Sequence, residues 1–564
     1  MAKKNSIYIL GTGLSHNGST CLLKDGRIVV AIEKERLTRI KHDGGNDHQT
    51  VQYCLNAAGI TINDLTLVVQ CANFEKDIDI SKYMGKRFFP DNYQVPVVTI
   101  SHHLAHAYSA IGTSPFEDSN VLIIDGCGSP IEQCDDMNGA KIHVPDSMAM
   151  IAEKDSYYRY QDGILKSLYK DFSEFKPPTG SNIHLPTTRH SIGGLYSLMS
   201  RYVFGNMNDV GKLMGLAPYG DRKAYTTPLF HLKEERVFVN EDAFSILNNA
   251  SKGFEDFKRR FKYFADIAAW TQKEVEKAIL YTIRSRLSFN YNSNLCYAGG
   301  VALNAVANAR ILKEGLVDSL YIQPAAADNG IAIGCAYYGW LKTLKKEKVT
   351  HNGSTYFGAS YSEQKILNAI IGYEKTNRLN INYSIDKNAI VTAAKYLAEG
   401  KIIAWYQDGA EFGPRALGNR SILADPRLPS IQSFINKEIK FREDFRPFAP
   451  SVLKEDASKY FKYAYDSPYM ILVDEVLEEH RKALAGITHN DNSARVQTVT
   501  ATSNPKYYEL ISAFKKETGL PILLNTSFNK RGMPIVETPE EAISLFYETK
   551  LDVLVMGNII LNKN

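Results

Sequence analysis

The sequence predicts a protein built from two α/β domains. Its 564 residues exceed what one hydrophobic core usually supports. Short apolar runs followed by small residues alternate with helical patterns, which is typical of layered α/β structure. A lysine-rich stretch at residues 341–349 and a polar stretch at 351–355 interrupt this alternation. We therefore predict one domain over residues 1–350 and a second over residues 356–564.

The first domain opens with predicted antiparallel strands. Residues 6–10, 21–23 and 28–32 are strand-like, and Asp25-Gly26 between the last two is typical of a tight turn. Further strands are predicted at 97–100, 121–124, 294–298 and 320–323, several of them followed by small residues and a helix. This order predicts an α/β layered domain with helix-rich sequence between its two strand groups.

The second domain begins with a predicted helix at 389–399 and a buried strand at 401–406, and its basic residues cluster. No repeat of fixed period is present, which excludes a solenoid or propeller. The expected architecture is a second α/β unit.

Composition and charge exclude several classes of protein. Lys and Arg number 66 against 62 Asp and Glu, and a formal charge of +4 is too small to indicate a nucleic-acid or membrane partner. The amino terminus lacks a signal-peptide pattern, and no apolar run approaches the roughly 20 residues of a spanning helix. Seven cysteines without a CxxC pair indicate reduced, mostly buried thiols. We predict a soluble, cytoplasmic protein.

Four residues of the first domain are candidate metal ligands. His102 and His106 follow a predicted strand and lie four residues apart, on one face of a helix. Asp125 and Asp328 follow two other strands, at the carboxyl ends where α/β folds place chemistry. Two imidazoles with carboxylates suit iron or a similar divalent transition metal.

An isolated pair of histidines at this spacing is more often a packed or capping pair than a ligand pair. The two carboxylates at strand ends favour the ligand interpretation here. His103 points off the shared helical face, and we assign it to structure.

Gly299-Gly300 lies between a predicted strand and a helix, where backbone N–H groups can approach phosphate oxygens closely. A close packing turn between strand and helix explains the same pair, so both interpretations stay open. Lys212 lies in a glycine-flanked segment at 211–220, which is either a loop over the site or a helix terminus.

His16 lies in the predicted loop between the first two strands, where a neutral imidazole can accept a proton from an attacking hydroxyl. Most loop histidines have no such role. Lys41 follows a charged stretch and faces either phosphate or solvent.

The second domain contains a candidate anion site. Its cations stand among prolines and aromatic residues, which indicates a rigid wall, and Arg suits bidentate binding of phosphate or carbamoyl oxygens. Polar side chains at 525–527 end another apolar strand. Nucleic acid is the rival ligand, but the aromatic residues show no stacking pattern for single-stranded bases. The candidates are Arg415, Arg420, Lys440, Arg446, Arg495, Asn525, Thr526 and Ser527.

Nine segments in series resemble the O-carbamoyltransferase family that includes the nodulation-factor and aminoglycoside-antibiotic enzymes. They are SHHLAHA, IIDGCG, GKLMGLAPYG, AGGVALN, PAAADNGIAIG, FGPRALGNRSILADPR, FRPFAPSVL, ARVQTV and LNTSFN, in family order. The resemblance covers nearly the whole chain.

The resemblance implies an amino-terminal domain similar to the actin-like and sugar-kinase-like fold of threonylcarbamoyl-transfer proteins, followed by a YrdC-like domain. It implies that the second domain forms carbamoyladenylate from ATP, with Mg²⁺, and carbamoyl phosphate. The first domain would then transfer the carbamoyl group to a hydroxyl of a small-molecule acceptor and release AMP.

The resemblance also assigns residues. His16 would be the catalytic base, and His102, His106, Asp125 and Asp328 would hold an iron-like ion. The eight cations and polar residues of the second domain would bind carbamoyl phosphate and ATP. The nucleotide or carbamoyladenylate would contact Lys41, Gly126, Lys212, Gly299, Gly300 and Asn304.

One position departs from the family pattern. Many members carry His-Asp in the first loop, whereas this chain has His16-Asn17, so the resemblance does not identify the acceptor. Two other functions compete with this interpretation: a tRNA threonylcarbamoyl-type enzyme, which the weak net charge disfavours, and a non-catalytic nucleotide-dependent switch, which leaves the second-domain cations unused.

Overall fold

The computed structural model describes residues 6–46, 48–71, 89, 94–175 and 187–563. The chain forms two compact units. The first contains the residues up to Lys34 together with His42–His351, and the second contains Glu35–Lys41 together with the residues from Asn352 onward. A short amino-terminal segment therefore belongs to the second unit.

The first sheet of unit 1 has five strands in the order β3-β2-β1-β4-β5. Strands β1, β4 and β5 are parallel, so their carboxyl ends lie at one edge, while β2 and β3 continue the sheet antiparallel. The strands are β1 (Tyr8–Gly13), β2 (Ser19–Lys24), β3 (Arg27–Glu33), β4 (Leu67–Cys71) and β5 (Val97–Ile100).

A second sheet of unit 1 has six strands in the order β13-β12-β6-β8-β9-β7, of which β6, β12 and β13 are parallel neighbours. A separate hairpin pairs β10 with β11. The strands are β6 (Ser119–Ile124), β7 (Lys141–His143), β8 (Ile151–Gln161), β9 (Ile164–Glu174), β10 (Phe230–Lys233), β11 (Arg236–Val239), β12 (Asn294–Ala298) and β13 (Ser319–Ile322).

The helices of unit 1 pack on these sheets, and the central one is buried. Gly334 lets this helix lie directly against another, because a Cβ there would lie 1.7 Å from the carbonyl oxygen of Ala105. Helix α1 (Lys34–Thr38) lies almost entirely in the short segment of unit 2. The helices of unit 1 are α2 (His48–Ala58), α3 (His102–Thr113), α4 (Ile192–Phe204), α5 (Val210–Leu216), α6 (Phe254–Arg259), α7 (Phe261–Phe289), α8 (Ala305–Lys313) and the central α9 (Ile331–Tyr338).

Unit 2 contains an eight-stranded sheet in the order β14-β23-β22-β15-β16-β21-β17-β20 and a two-stranded sheet, β18-β19. Its helices are α10 (Glu363–Asn377), α11 (Ala389–Ala398), α12 (Ile431–Phe434), α13 (Glu478–Arg481), α14 (Pro505–Thr518) and α15 (Pro539–Glu548). The strands are β14 (Asn382–Ile385), β15 (Ile403–Tyr406), β16 (Arg420–Ala424), β17 (Ala449–Leu453), β18 (Val473–Glu475), β19 (Ser493–Arg495), β20 (Gln497–Val499), β21 (Ile522–Ser527), β22 (Val553–Met556) and β23 (Ile559–Asn562).

Two arginines fix the amino-terminal segment within unit 2. The guanidinium of Arg36, which is buried, donates to the carbonyl of Gly413 at 2.8 Å. Arg39 donates to the carbonyls of Pro534 and Ile535, both at 2.8 Å. Hydrogen bonds to distant backbone carbonyls have no sequence signature, so the predicted domain boundaries did not assign residues 35–41 to the second unit.

The seven cysteines all lie in the described part of the chain and form no disulfide, and six of them are buried, as predicted. Within the described ranges, none of the helices combines the length and the apolar character needed to span a lipid bilayer.

Candidate metal centre and anion site

Unit 1 brings the four predicted metal ligands together. His102 and His106 lie on α3, which follows β5, while Asp125 directly follows β6. Asp328 begins a short 3₁₀ helix after β13 and before α9. The four side chains therefore come together near the carboxyl ends of strands, a convergence that the sequence alone does not show.

The distances within this cluster are short, and all four residues are buried. His102 Nε2 lies 3.0 Å from Asp125 Oδ2 and 3.5 Å from Asp328 Oδ1. His106 Nε2 lies 3.4 Å from Asp125 Oδ2, 3.8 Å from Asp328 Oδ1 and 3.2 Å from His102 Nε2. We call these four residues the histidine–carboxylate cluster.

The cluster fits one divalent cation. Its four ligand atoms lie within 4.8 Å of one another, and ligand atoms about 2.1 Å from a shared ion lie about 3–4 Å apart. Two imidazoles and two carboxylates form a donor set suited to a divalent transition ion. The arrangement supports the metal interpretation of the histidine pair, while the identity of the metal stays a prediction.

Neighbouring groups orient the ligands. Asp125 Oδ1 accepts from the backbone N–H of Gly126 at 2.8 Å and of Gly300 at 3.2 Å, which leaves Oδ2 directed at the histidines. The thiol of Cys71, at the end of β4, hydrogen-bonds to His102. Bonds of this kind fix ring and carboxylate orientation around metals.

The charges of the cluster depend on one another. Burial opposes the charged form of His102, but Asp328 and Asp125 outweigh it and raise the pKa of His102 well above its usual value. Burial alone would raise the pKa of Asp328, yet His16 and His102 hold it well below its usual range. Burial likewise opposes the charge of Asp125, but hydrogen bonds from His102 and His106 lower its pKa. Both aspartates therefore favour the ionised form, in which a carboxylate binds a cation.

His16 lies beside this cluster. Its Nδ1 is 2.8 Å from Asp328 Oδ2, and 45% of its side chain is exposed. The nearby Asp328 is the main reason that the pKa of His16 is raised. The next residue, Asn17, directs its side-chain oxygen toward His42 Nδ1 at 3.2 Å. His16 is thus both adjacent to the cluster and accessible from solvent.

The two glycines of the predicted phosphate cradle serve different geometric needs. Gly299 has φ +91°, and a Cβ there would lie 2.3 Å from the carbonyl oxygen of Ile124, so close packing requires a glycine. Gly300 places its N–H against Asp125. The pair is thus a packing turn beside the cluster, and its role as a phosphate cradle stays a prediction.

Two other predicted nucleotide contacts are engaged in structural interactions. Asn304 caps α8 by accepting from the N–H of Ala307 at 3.1 Å, and its amide pairs with that of Gln272. Lys212 lies on α5 and forms an ion pair with Asp209 at 2.8 Å. Their roles as nucleotide contacts stay predictions.

Lys41 lies elsewhere than we expected. Lys41 falls within the predicted first domain, whereas it belongs to the unit-2 segment that Arg36 and Arg39 anchor. There its charge helps to lower the pKa of Lys440.

The predicted cations of unit 2 gather at one edge of the eight-stranded sheet. Strands β17 and β20 are parallel, and β21 is antiparallel to β17. The carboxyl end of β21 therefore lies at the same edge as the segments that precede β17 and β20. Arg446 and Arg495 lie in those two segments, and Thr526 and Ser527 end β21.

These cations repel one another. Burial and the charge of Arg446 lower the pKa of Arg415 to about 10. Burial, Arg415 and Arg446 likewise lower the pKa of Arg495. Arg442, which we had not singled out, also has a lowered pKa because of burial and Arg446. A half-buried group of like charges favours an anionic ligand, and we call Arg415, Arg442, Arg446 and Arg495 the arginine cluster.

Lys440 and Asn525 make structural hydrogen bonds at this edge of the sheet. The buried ammonium of Lys440 donates to the carbonyl oxygens of Ser527 at 2.5 Å and Asn529 at 2.9 Å, and to Asn529 Oδ1 at 2.7 Å. Asn525 is buried and donates to Ser451 Oγ at 3.0 Å. Lys440 therefore holds the turn after β21, whereas Asn525 links β21 to β17. Ligand binding by either stays a prediction.

The structure corrects the grouping of Arg420 with the ligand-facing cations. Its side chain is fully buried on β16 and donates to the carbonyls of Gln407 at 2.5 Å and Asp408 at 2.9 Å. The guanidinium also lies over the ring of Tyr406 at 3.6 Å. These bonds hold the chain that leads to the Arg415 loop.

Sequence reasoning missed the residue that shapes this loop. Glu411 is buried, and its Oε1 accepts from the backbone N–H groups of Leu417 at 2.7 Å, Asn419 at 2.6 Å and Arg420 at 3.2 Å. One carboxylate thus closes the loop that contains Arg415. A glutamate directly before FGPR was the only available signal.

Together these features define an α/β protein with a metal-type site in one unit and an anion-type site in the other. The family model described as carbamoyltransferase N-terminus matches residues 8–84 and 65–337, and that described as carbamoyltransferase C-terminus matches residues 394–563. The chain belongs to the carbamoyltransferase family and is a transferase, which confirms the predicted family and enzyme class.

Two relatives illustrate this membership. The nodulation protein NolNO of Sinorhizobium fredii is 32% identical, over 99% of this chain and 81% of that protein. The 3'-hydroxymethylcephem-O-carbamoyltransferase of Streptomyces clavuligerus is 26% identical, over 86% of this chain and 82% of its own length.

Among solved structures, full-length HypF in a phosphate- and nucleotide-bound form matches with a TM-score of 0.38 and 13% identity, over 62% of this chain and 57% of that chain. A likeness at this level carries no argument. The mixed α/β class is established, whereas the actin-like and YrdC-like assignments stay predictions.

Proposed function

We propose that this carbamoyltransferase is an ATP-dependent O-carbamoyltransferase acting on a hydroxyl of a small molecule in the cytoplasm. The observation that carries the proposal is the arginine cluster beside the polar end of β21, because transfer at the histidine–carboxylate cluster alone would not require a second anion site. The O-carbamoyltransferase name of the Streptomyces relative supports a hydroxyl acceptor.

In the proposed first step, unit 2 binds carbamoyl phosphate and the phosphates of ATP through the arginine cluster. Water releases phosphate from carbamoyl phosphate and leaves carbamate. A carbamate oxygen then attacks the α-phosphorus of ATP, the bond to the β-phosphate oxygen breaks, and pyrophosphate leaves. Arginine forks suit the planar oxygens of these groups and neutralise charge that accumulates during the displacement.

In the proposed second step, the acceptor hydroxyl attacks the carbamoyl carbon of carbamoyladenylate in unit 1. The bond between that carbon and the AMP oxygen breaks, AMP leaves with the electron pair, and the hydroxyl proton passes to His16. Gly126, Gly299 and Gly300 have no side chains, which would let the nucleotide approach the backbone closely there, although their own N–H groups donate to Asp125 and Ala326.

His102, His106, Asp125 and Asp328 would hold the cation, for which Fe²⁺ or a similar ion is proposed. Such an ion supplies Lewis-acid stabilisation of phosphate charge when bound. His16 must be neutral to accept a proton, whereas Asp328 favours its charged form. A bound cation would partly neutralise Asp328 and so lower the pKa of His16. The same carboxylate would then orient the imidazole of His16 while leaving it neutral.

The direct test is pyrophosphate release from ATP. We expect release that depends on carbamoyl phosphate and that persists without any acceptor. A threonylcarbamoyl-type enzyme would instead require threonine and bicarbonate. Pyrophosphate release that needs those two compounds, or none with carbamoyl phosphate, would contradict the proposal.

His16→Ala is expected to slow acceptor carbamoylation by about 100-fold, within the usual range for loss of a general base, without changing nucleotide affinity. Single-turnover transfer and equilibrium binding of AMP measure the two quantities. His231→Ala, which removes an exposed imidazole on β10, serves as the control. Equal transfer rates for the His16 variant and the parent would show that His16 is not the general base.

A further inference from the structure

The first turn of α3 is capped by side chains that lie outside the helix and its flanking residues. Ser101 occupies the N-cap position, but among the described residues its side chain makes no capping hydrogen bond. Instead, the N–H of His102 donates to Ser129 Oγ at 2.9 Å, and the N–H of His103 donates to Glu153 Oε2 at 3.2 Å. These are two of the N–H groups that a helix leaves without an internal partner.

The same carboxylate also holds the loop that follows Asp125. Glu153 Oε2 accepts from the backbone N–H of Ser129 at 3.0 Å. The backbone of Glu153, on β8, accepts from the N–H of Gly128 at 2.9 Å and donates to the carbonyl of Ser129 at 3.0 Å. Glu153 therefore connects the helix that carries two ligands to the loop that begins at the third.

The packing around this carboxylate leaves no spare space. A Cβ at Gly128 would lie 2.7 Å from Glu153 Oε2 and 2.6 Å from the ring of His103. His103 is buried, its Nδ1 lies 2.8 Å from Ser156 Oγ, and burial lowers its pKa to about 4. The cap is thus a fixed part of the core beside the cluster.

Glu153 also belongs to a second group of metal-ligand residue types, with Cys134 and Asp136. A cation is already present in this group. The buried ammonium of Lys170 lies 2.6 Å from Glu153 Oε1 and 2.8 Å from Asp136 Oδ1. Lys170 therefore balances the buried charge and keeps Glu153 Oε2 turned toward α3, so this group needs no second metal ion.

We propose that Ser129 and Glu153 are positioning residues, which fix the direction of His102 and His106 through the first turn of α3. This inference rests on the proposed metal site. Groups that orient metal ligands typically change metal affinity by about 10- to 100-fold when they are removed. Neither residue touches the cation or the reacting atoms.

Ser129→Ala is the informative change, because it removes one helix acceptor and leaves the buried ion pair intact. With Co²⁺ as the probe, we expect roughly tenfold weaker binding and an altered visible absorption spectrum. Ser362→Ala removes a helix cap from α10 in unit 2, where Ser362 accepts from the N–H of Lys365, and should change neither. Parent-like affinity and spectrum in the Ser129 variant would overturn the positioning role.

Glu153→Gln provides a second variant. In either orientation of the new side-chain amide, its NH₂ group faces another donor, either the ammonium of Lys170 or the two backbone N–H groups. We therefore expect a larger loss of Co²⁺ affinity than for Ser129→Ala, measured on protein that circular dichroism shows to be folded. If the parent binds Co²⁺ and the His106→Ala protein does not, the metal site is established independently of Ser129 and Glu153. If the parent binds no Co²⁺, both the metal site and the positioning role are wrong.

Discussion

Arg446→Ala is expected to lower carbamoyladenylate formation by about 100-fold or more. Arg446 lies three residues before β17, and its charge contributes to the lowered pKa of Arg415, Arg442 and Arg495. Its Nη1 lies 4.0 Å from Glu443 Oε2, and 28% of its side chain is exposed, so an anion from solvent can reach the guanidinium. A hydrogen bond to a charged group is worth about 1.5–3 kcal/mol.

The chain offers a matched control for this change. Arg481 has the same side-chain exposure as Arg446, 28%, but its guanidinium is paired with Glu475 at 3.1 Å. Arg481→Ala should therefore leave pyrophosphate release from ATP and carbamoyl phosphate at the parent rate. If the two variants lose activity equally, general destabilisation explains the loss and the anion site is misassigned.

His106→Ala is expected to abolish acceptor carbamoylation, with a loss of about 1,000-fold or more, while leaving pyrophosphate release intact. Removing one of four ligands from a buried cation leaves the charges of Asp125 and Asp328 poorly balanced and the cation weakly held. The imidazole of His106 lies within 3.8 Å of both aspartates. Product analysis by mass spectrometry, with and without acceptor, separates the two effects.

The parent protein should behave like this variant after treatment with a strong chelator. We expect Fe²⁺ to restore transfer better than Mg²⁺ alone, because the imidazole ligands favour a transition ion. Full transfer in a metal-stripped sample would show that the cluster serves structure and not catalysis.

The sequence indicated the four candidate ligands but not their convergence. Asp125 and Asp328 follow strands of the six-stranded sheet, whereas His102 and His106 follow β5 of the five-stranded sheet, so only the fold brings the four side chains together. Three members of the arginine cluster, Arg415, Arg446 and Arg495, were among the predicted anion ligands, whereas Arg442 was not. Prolines and aromatic residues beside the cations indicated that they are held in place.

Other features depend on contacts that the sequence does not encode locally. Arg420 has the same residue type as Arg415 and lies five positions away, but its guanidinium binds backbone carbonyls within unit 2. Glu153 lies in the middle of a strand, and only the fold brings its carboxylate to α3. The Glu35–Lys41 segment belongs to unit 2 because of bonds to carbonyls more than 370 positions away in the chain.

The central claim is that activation and transfer belong to two separate sites, and transfer from supplied carbamoyladenylate tests it most directly. We predict that the Arg446→Ala protein transfers the carbamoyl group from this intermediate at close to the parent rate, although it forms none itself. The His106→Ala protein should form the intermediate but fail to transfer from it. If both proteins lose both steps while circular dichroism and thermal melting show them folded, the two sites act as one centre and the division of labour is wrong.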